Sequence, residues 1–158
     1  MSLHIESGIF ILHFSNYQIM KTILVIGGYG NAGREIVKLI LAHFSDLEIV
    51  IAGRNEKRAR QCAEAFQTSF PGSKVQAARL DIQDADELLG QLAEADFVIN
   101  ASGTPQLTEP FIQALLQTGK DALDTQLATS AKHQILQKYA AQIKAAGICY
   151  ITDGGFHP

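Results

Sequence analysis

Residues 23–33 read Ile-Leu-Val-Ile-Gly-Gly-Tyr-Gly-Asn-Ala-Gly, an apolar run that ends in a glycine-rich turn. The segment Gly28-Tyr29-Gly30-Asn31-Ala32-Gly33 fits the pattern G-x-G-x-x-G, and apolar residues at helical spacing follow it at once. This order predicts a buried strand, a tight turn and the N-terminus of a helix, whose free N–H groups can bind a pyrophosphate. We expect Gly28 to allow the sharp turn, Gly30 to let the backbone approach the phosphates, and Gly33 to let helix and strand pack closely.

Beyond this turn, strand and helix patterns alternate with short connections, as in a parallel sheet covered on both faces. Asp84, with Glu87 three residues later, is typical of a capping box at the start of a helix. The predicted strands are 22–26, 48–52, 74–80, 97–100, 121–124 and 148–152, and the predicted helices begin near Asn31, Asn55, Asp84, Thr108 and Thr129. This rhythm predicts an α/β fold: a Rossmann-type, doubly wound parallel sheet of about six strands in the order 3-2-1-4-5-6.

The length of 158 residues predicts one domain, which we place at residues 20–158 as a dinucleotide-binding (Rossmann) domain. Residues 1–19 fit this domain poorly. Their apolar run, Gly8–Phe14, is too short for a membrane span and follows no basic stretch. This piece could be an N-terminal extension from an upstream start codon, residues introduced by cloning or an added edge strand, and the sequence leaves these alternatives open.

The composition is that of an ordinary soluble globular chain, with 47% apolar and 18% charged residues. A net charge of −3 gives no overall attraction to nucleic acid or to an anionic membrane, so neither is an expected partner. The two cysteines, Cys62 and Cys149, have no histidine or cysteine neighbours at metal-ligand spacing. They indicate a reducing, cytoplasmic setting and no metal site.

The turn after the second strand, Ile51-Ala52-Gly53-Arg54-Asn55, predicts which cofactor the domain binds. NAD-binding domains usually have Asp or Glu here to bind the ribose 2′-hydroxyl, and this turn has none. A guanidinium donates two N–H bonds to a phosphate, so Arg54 favours NADP over NAD. Lys57 and Arg58 are secondary candidates; alternatively they form, with Arg60, the solvated face of the next helix.

Two further turns contribute candidate cofactor-binding residues, since ligands of such sheets lie beyond the carboxyl ends of the strands. Asp81 and Ile82 follow the third strand. Asp81 either accepts a hydrogen bond from the adenine amino group or caps the next helix. Asn100, Ala101 and Ser102 follow the fourth strand, where small residues let a nucleotide pass close to the backbone. Asn100 either binds a ribose or ties neighbouring loops together.

Catalytic residues cannot be identified from the sequence. Asp124 and His157 lie in the turns after the fifth and sixth strands, which could reach a nicotinamide. Alternatively, Asp124 only caps the next segment, and a histidine so near a terminus is more often idle. Tyr139 is followed four residues later by Ile143, so the Tyr-x-x-x-Lys pair of short-chain dehydrogenases is missing. No G-x-S-x-G elbow or histidine cluster occurs either.

Taken together, these turns resemble the N-terminal NADP-binding domain of the saccharopine dehydrogenase family, which includes saccharopine reductase and carboxynorspermidine dehydrogenase-like enzymes. The resemblance runs from about Met20 to the end of the chain. The segments that carry it are Gly27–Gly33, Ala52–Asn55, Asp96–Gly103, Gly119–Thr125 and Gly154–Pro158. The glycine turn is common to many families, whereas Asn-Ala-Ser-Gly, Leu-Asp-Thr and Gly-Phe-His-Pro in this order are more specific.

The resemblance implies an NADP(H)-dependent oxidoreductase that acts on a C–N bond of an amino acid or polyamine precursor. In this family a second α+β domain follows the last turn, supplies most contacts to the amino-acid-like substrate and often forms a homodimer. The chain stops at Pro158, where that domain would begin, so we expect the chain alone to be inactive. The alternatives are a non-catalytic NADP-sensing regulatory domain and a folded domain with a dead nucleotide site. A reading frame continuing past Pro158 would favour the enzyme, and a stop there the sensor.

Overall fold

The computed structural model describes residues 21–154, so residues 1–19 and His157 lie outside the described part. The described chain alternates strictly between strands and α-helices, with one short 3₁₀ turn. The strands are β1 (Thr22–Ile26), β2 (Glu48–Gly53), β3 (Lys74–Arg79), β4 (Phe97–Asn100), β5 (Asp121–Asp124) and β6 (Tyr150–Ile151). The helices are α1 (Asn31–His43), α2 (Glu56–Ser69), α3 (Ala85–Glu94), α4 (Thr108–Thr118) and α5 (Ser130–Ala146), and the 3₁₀ turn is Pro105–Leu107.

The strands form one parallel six-stranded sheet in the order β3-β2-β1-β4-β5-β6. This confirms the predicted Rossmann-type fold and strand order. The chain leaves β1 towards β2 and β3 and then returns to pair β4 with the other side of β1, where Ile26 is in register with Asn100. The turns after β1 and β4 therefore meet at the point where the strand order reverses, which is where open α/β sheets bind ligands.

A separate apolar core covers each face of the sheet, because successive side chains of a strand point to opposite faces. From β1, Ile23 and Val25 pack on the face covered by α1 and α2, together with Val37 and Phe66 of these helices. Leu24 and Ile26 pack on the opposite face. The residues they meet on α3 and α4 are Leu88, Leu92, Phe111, Ala114 and Leu115. Burial on both faces explains why the β1 sequence is continuously apolar rather than alternating.

Two predicted elements differ in detail from the structure. The sixth strand is two residues long instead of five, and among the described strands it pairs with β5 alone. The capping box before α3 is half formed: the Asp84 carboxylate accepts a hydrogen bond from the Glu87 N–H at 3.1 Å. The Glu87 carboxylate accepts instead from the Asp81 N–H at 2.9 Å and pairs with Arg79. The Asp84 N–H is satisfied by the Asp81 carbonyl, so Glu87 is released to hold the end of β3.

No helix within residues 21–154 is long and apolar enough to cross a membrane.

Candidate functional site

A cleft of about 360 Å³ opens at the carboxyl edge of the sheet, between the turns that follow β1, β2, β3 and β4. Glycines, small polar residues and a few aliphatic side chains line it. The lining residues are Ile26, Gly27, Tyr29, Gly30, Gly53, Arg54, Leu80, Asp81, Ile82, Ala101, Ser102, Gly103, Thr104 and Leu107. The cleft therefore occupies the position at which the topology predicts a ligand.

The sharp turn after β1 depends on Gly27. Its φ of +76° lies in the left-handed region, and a Cβ there would stand 2.9 Å from the Ala101 carbonyl carbon. Gly28 was expected to allow this turn, but it has no positive φ. Position 28 instead has no room for a side chain, because a Cβ there would stand 2.9 Å from the Val25 carbonyl oxygen. The conformational role thus belongs to the glycine one position earlier.

The N-terminus of α1 faces the cleft without a capping side chain. Its N-cap is Gly30, which has no side chain to accept from the first-turn N–H groups, and the first turn holds no acidic residue. By contrast, side chains of Asn55, Asp84 and Thr129 cap α2, α3 and α5. The first N–H groups of a helix have no partner within it, so those at the start of α1 remain available to an anion.

The remaining turn glycines keep the backbone of this anion site bare and close to the sheet. A Cβ on Gly30 would meet only the Gly27 carbonyl oxygen, at 3.1 Å, so that its open side faces the cleft. A Cβ on Gly33 would collide with the Gly27 carbonyl oxygen and stand 2.6 Å from the Gly28 Cα. Gly33 is therefore required for close packing of α1 on the turn itself, rather than on the strand as the pattern suggested.

At the end of β2, the Tyr29 side chain lies across Gly53. A Cβ on Gly53 would meet the Tyr29 ring at 2.6 Å, and the Tyr29 hydroxyl accepts a hydrogen bond from the Asn55 N–H at 3.2 Å. The Arg58 guanidinium stacks on the same ring at 4.9 Å from its centroid. Arg54, which is exposed, lines the cleft beside this assembly. Two guanidinium groups thus flank the turn where NAD-binding domains carry an acid.

Arg60 behaves differently from these two arginines. It pairs with Glu56 at 2.7 Å on the outer surface of α2, and it does not line the cleft. Lys57 is exposed and also stays outside the lining. Of the basic residues considered for this turn, only Arg54 lines the cleft, with Arg58 held nearby on the Tyr29 ring.

The turn after β3 brings Asp81 and Ile82 into the lining of the cleft. The Asp81 carboxylate accepts a hydrogen bond from the Gln83 N–H at 3.1 Å, whereas the cap of α3 is the carboxylate of Asp84. Helix capping, one of the two roles considered for Asp81, therefore belongs to Asp84. Ile82 is 5% exposed and contributes an apolar wall.

The turn after β4 is held by hydrogen bonds among its own side chains. The Asn100 amide oxygen accepts from the Ser102 N–H at 3.1 Å and from the Ser102 hydroxyl at 2.6 Å. The Asn100 carbonyl accepts from the Thr125 N–H at 3.2 Å. Asn100 is 2% exposed and lies outside the cleft lining, so it ties loops together, the second of its two expected roles. Ala101 and Ser102 do line the cleft.

Behind this turn lies a buried polar cluster, which we call the Asp124 cluster: Asp124, Gln126, Lys132, Tyr150 and Asp153. Lys132 is 1% exposed, and its ammonium donates to the Asp124 carboxylate at 2.7 Å, the Asp153 carboxylate at 2.9 Å and the Gln126 carbonyl at 3.1 Å. The Tyr150 hydroxyl also donates to Asp124. A buried charge needs such partners to offset its lost hydration.

The polar groups of the Asp124 cluster bond to one another. Burial, and then the hydrogen bond to Asp124, raise the pKa of the Tyr150 phenol, so Tyr150 stays protonated. All three Lys132 protons have acceptors within the cluster. Asp153 adopts φ +58°, an uncommon conformation for a non-glycine residue, which the bond from Lys132 helps to hold.

The structure thus brings seven predicted site residues into one cleft: Tyr29, Gly30, Arg54, Asp81, Ile82, Ala101 and Ser102. Five predicted residues lie outside its lining: Gly28, Asn31, Ala32, Gly33 and Asn100. Sequence reasoning gave no site role to Gly27 or Gly53, and of the Asp124 cluster it considered only Asp124. Gly27 directly follows β1 and Gly53 is the last residue of β2, so a glycine at the end of a strand is the signal that could have identified both. Within residues 21–154, no group of three or more His, Cys, Asp or Glu side chains is placed to hold a metal ion.

The fold and the cleft together define a dinucleotide-binding domain of the Rossmann type. The model of the saccharopine dehydrogenase NADP-binding domain family matches residues 23–151, and the chain belongs to this family. NADP is therefore its cofactor. The residues present fit this group: a glycine cradle that Cβ atoms would fill, an uncapped helix N-terminus for the pyrophosphate and a guanidinium for the 2′-phosphate.

Among curated proteins, the chain is 27% identical over 139 residues to a lipid droplet localized protein of Caenorhabditis elegans, covering 85% of the chain and 33% of that protein. Its fold is similar to the apo, histidine-tagged saccharopine dehydrogenase (L-Glu forming) of Saccharomyces cerevisiae. That match has a TM-score of 0.70 and 23% identity, and covers 85% of this chain and 27% of the yeast chain. AtPrR2 with NADP+ and (+)pinoresinol matches with a TM-score of 0.60 and 21% identity, covering 84% and 49% of the two chains. The chain spans a third or less of the curated relatives it matches.

Proposed function

We propose that the cleft is the NADP site and that the chain is the cofactor domain of an oxidoreductase acting on a C–N bond of an amino acid or polyamine precursor. One observation carries the site: the uncapped N-terminus of α1, the bare glycines and Arg54 all border the same cleft. When bound, NADP(H) supplies the hydride, and the chain supplies binding and orientation.

The pyrophosphate end of the site is formed by backbone. The turn Gly27–Gly30 brings the chain close to the cleft, and the N–H groups of Asn31, Ala32 and Gly33 at the start of α1 would donate to the phosphates. This role is compatible with the absence of Asn31, Ala32 and Gly33 from the cleft lining, because it uses N–H groups and no side chain. The positive end of the α1 dipole adds to the attraction.

The 2′-phosphate end is formed by side chains. Arg54 would form a charge-assisted bond to the phosphate, and Arg58, stacked on the Tyr29 ring, would add a second positive charge. Aromatic stacking restricts the guanidinium before the ligand arrives, so that less entropy is lost on binding. The turn Gly53-Arg54-Asn55 carries no carboxylate to repel the phosphate, and the next acid, Glu56, pairs with Arg60.

The activity of the whole protein is the larger proposal. Membership of the saccharopine dehydrogenase NADP-binding domain family supports an oxidoreductase, and the likeness to the yeast enzyme supports the same fold. We infer that a further domain binds the substrate, because the matched relatives are about three times as long as the match. We further propose a homodimer through that domain, and a cytoplasmic location, which the free, exposed thiol of Cys149 supports.

A non-catalytic NADP sensor is the second candidate, and the Asp124 cluster favours it. Asp124, Lys132 and Tyr150 lie at the carboxyl edge but bond to one another, so none is a free proton donor. In the enzyme, a group from the substrate domain would have to protonate the substrate. In the sensor, no such group is needed.

Isothermal titration of the chain with NADPH and NADH tests the site. We expect saturable binding of both, with NADPH the tighter ligand. Absence of saturable binding would refute the proposed site and would support the alternative of a folded domain that binds no nucleotide. To separate enzyme from sensor, a protein that carries the chain with its following domain is mixed with NADPH and an imine formed from an amino acid. Oxidation of NADPH that depends on the imine supports the enzyme, and tight binding without turnover supports the sensor.

A further inference from the structure

The side-chain amide of Gln126 supports the β4 side of the cleft from behind. Gln126 is 5% exposed, and its Nε2 donates to the Ser102 carbonyl at 3.1 Å and lies 3.5 Å from the Ser102 hydroxyl. Ser102 itself lines the cleft, together with Gly103 and Thr104. Thr104 is tied to the same residue, because the two hydroxyls are 2.7 Å apart. A shift of Gln126 would therefore move this part of the cleft wall.

The orientation of this amide leaves one buried atom unsatisfied. Within the described residues, the Gln126 Oε1 has no hydrogen-bond partner. Rotating the amide would not help, because it would set an amide oxygen against the Ser102 carbonyl oxygen in place of a donor. The bond to Ser102 is therefore kept although it leaves a buried acceptor unpaired, which costs stability.

The backbone of Gln126 is fixed as firmly as its side chain. Its N–H donates to the Asp124 carboxylate at 3.0 Å, and its carbonyl accepts from the Lys132 ammonium at 3.1 Å. Asp124 and Lys132 are 0% and 1% exposed. The Asp124 cluster thus forms a rigid base, and Gln126 transmits the position of that base to Ser102.

We propose that Gln126 is a positioning residue for the nicotinamide half of NADP, acting through the Ser102 carbonyl. This inference rests on the proposed NADP site. Ser102 lies on the β4 side of the cleft, whereas Arg54, proposed for the 2′-phosphate, lies beyond β1 on the β2 side. We therefore place the 2′-phosphate towards the β2 wall and the nicotinamide towards the β4 wall, which is the wall that Gln126 contacts.

Titration with two ligands tests the two walls of the cleft separately. NADPH spans the cleft, whereas adenosine 2′,5′-bisphosphate carries the 2′-phosphate without the nicotinamide. We expect Gln126→Ala in the full 158-residue chain to weaken NADPH by about three- to tenfold, as for one lost neutral hydrogen bond. Binding of the bisphosphate should stay within about twofold of the wild type. Gln126→Met keeps the length of the side chain without the Nε2 donor and without a new charge, and should behave alike. Gln134→Ala, at an exposed glutamine of α5, is the matched control.

The outcomes distinguish a positioning role of Gln126 from a purely structural one. Equal losses for both ligands would mean that Gln126 only stabilises the fold, and unchanged NADPH affinity in folded Gln126→Met would overturn the positioning role. If the wild-type chain binds neither ligand, the NADP site itself fails, and this inference with it. Thermal unfolding of each variant identifies any loss that comes from misfolding. If Gln126→Ala fails to fold, Gln126→Met decides alone, and failure of both to fold overturns the proposal in favour of a structural role.

Discussion

Replacing Arg54 with alanine should separate the two nicotinamide cofactors by affinity. Arg54 is exposed at the rim of the cleft and lies in the turn that would face the ribose 2′-position. A hydrogen bond to a charged group contributes about 1–3 kcal/mol, which corresponds to a roughly 5- to 150-fold change in affinity. Because water screens an exposed guanidinium, we expect the loss for NADPH near the lower end of this range. NADH lacks the 2′-phosphate, so its affinity should not change.

Isothermal titration at two salt concentrations makes this experiment more specific. The Debye length falls from about 10 Å at 0.1 M salt to about 3 Å at 1 M, so the preference of the wild type for NADPH should shrink as salt rises. The Arg54→Ala variant should show less of this dependence. Arg60→Ala is the matched control, since Arg60 is also exposed on this segment but pairs with Glu56 outside the cleft.

Two results would refute the reasoning about Arg54. If Arg54→Ala weakens NADPH and NADH equally, the arginine supports the site as a whole and does not select the 2′-phosphate. If Arg60→Ala costs as much as Arg54→Ala, the effect is the general positive charge of α2. In either case Arg58, stacked on Tyr29, becomes the first alternative for the selective residue.

Three further predictions concern the turn, the buried cluster and the edge of β1. Gly30→Val should abolish binding of both cofactors, because the side chain would fill the space of the pyrophosphate. The fold should be kept, since the φ of −77° suits valine and a Cβ there meets only the Gly27 carbonyl oxygen. If titration shows that a folded Gly30→Val variant keeps its affinity, the turn is not part of the site. Lys132→Met should lower the free energy of unfolding in urea by about 3–5 kcal/mol, because Asp124 stays buried without its cation; a loss under about 1 kcal/mol would contradict this. N–H bonds from Thr22 and Lys21 lower the pKa of Asp96. Its stabilisation is therefore full above the unfolded value of about 3.9 and is lost as pH falls through the lower folded pKa. Asp96→Ala should thus destabilise at pH 7 and much less near pH 2, and a pH-independent difference in unfolding free energy would exclude this role for the carboxylate.

The fold could be predicted from the sequence because its signals are local. Each strand run, helix stripe and glycine or proline boundary lies within a few consecutive residues, and the connection rules then leave few topologies. Details that depend on one position were harder to predict. The pattern pointed to Gly28 for the turn, whereas the positive φ is at Gly27, because a glycine pair does not reveal which member bends the chain.

The Asp124 cluster escaped prediction for a different physical reason. The partners of Lys132 lie 8 and 21 residues away in sequence, and they meet only once β5, α5 and the end of β6 are assembled. Read along the chain alone, a lysine in the first turn of a helix is an ordinary solvated residue. Burial of a charge is a tertiary property, and only the folded sheet provides it.

The different construction of the two ends of the cleft has a consequence for how this domain can change over evolutionary time. With the role proposed for Arg54 and Arg58, which are exposed, cofactor preference would change by single surface substitutions with little risk to folding. The β4 side depends on Gln126 and a buried ion cluster, in which any one replacement leaves a partner unsatisfied. A lineage of such domains would therefore change its preference between NADP and NAD more readily than it would remodel the β4 side of the cleft.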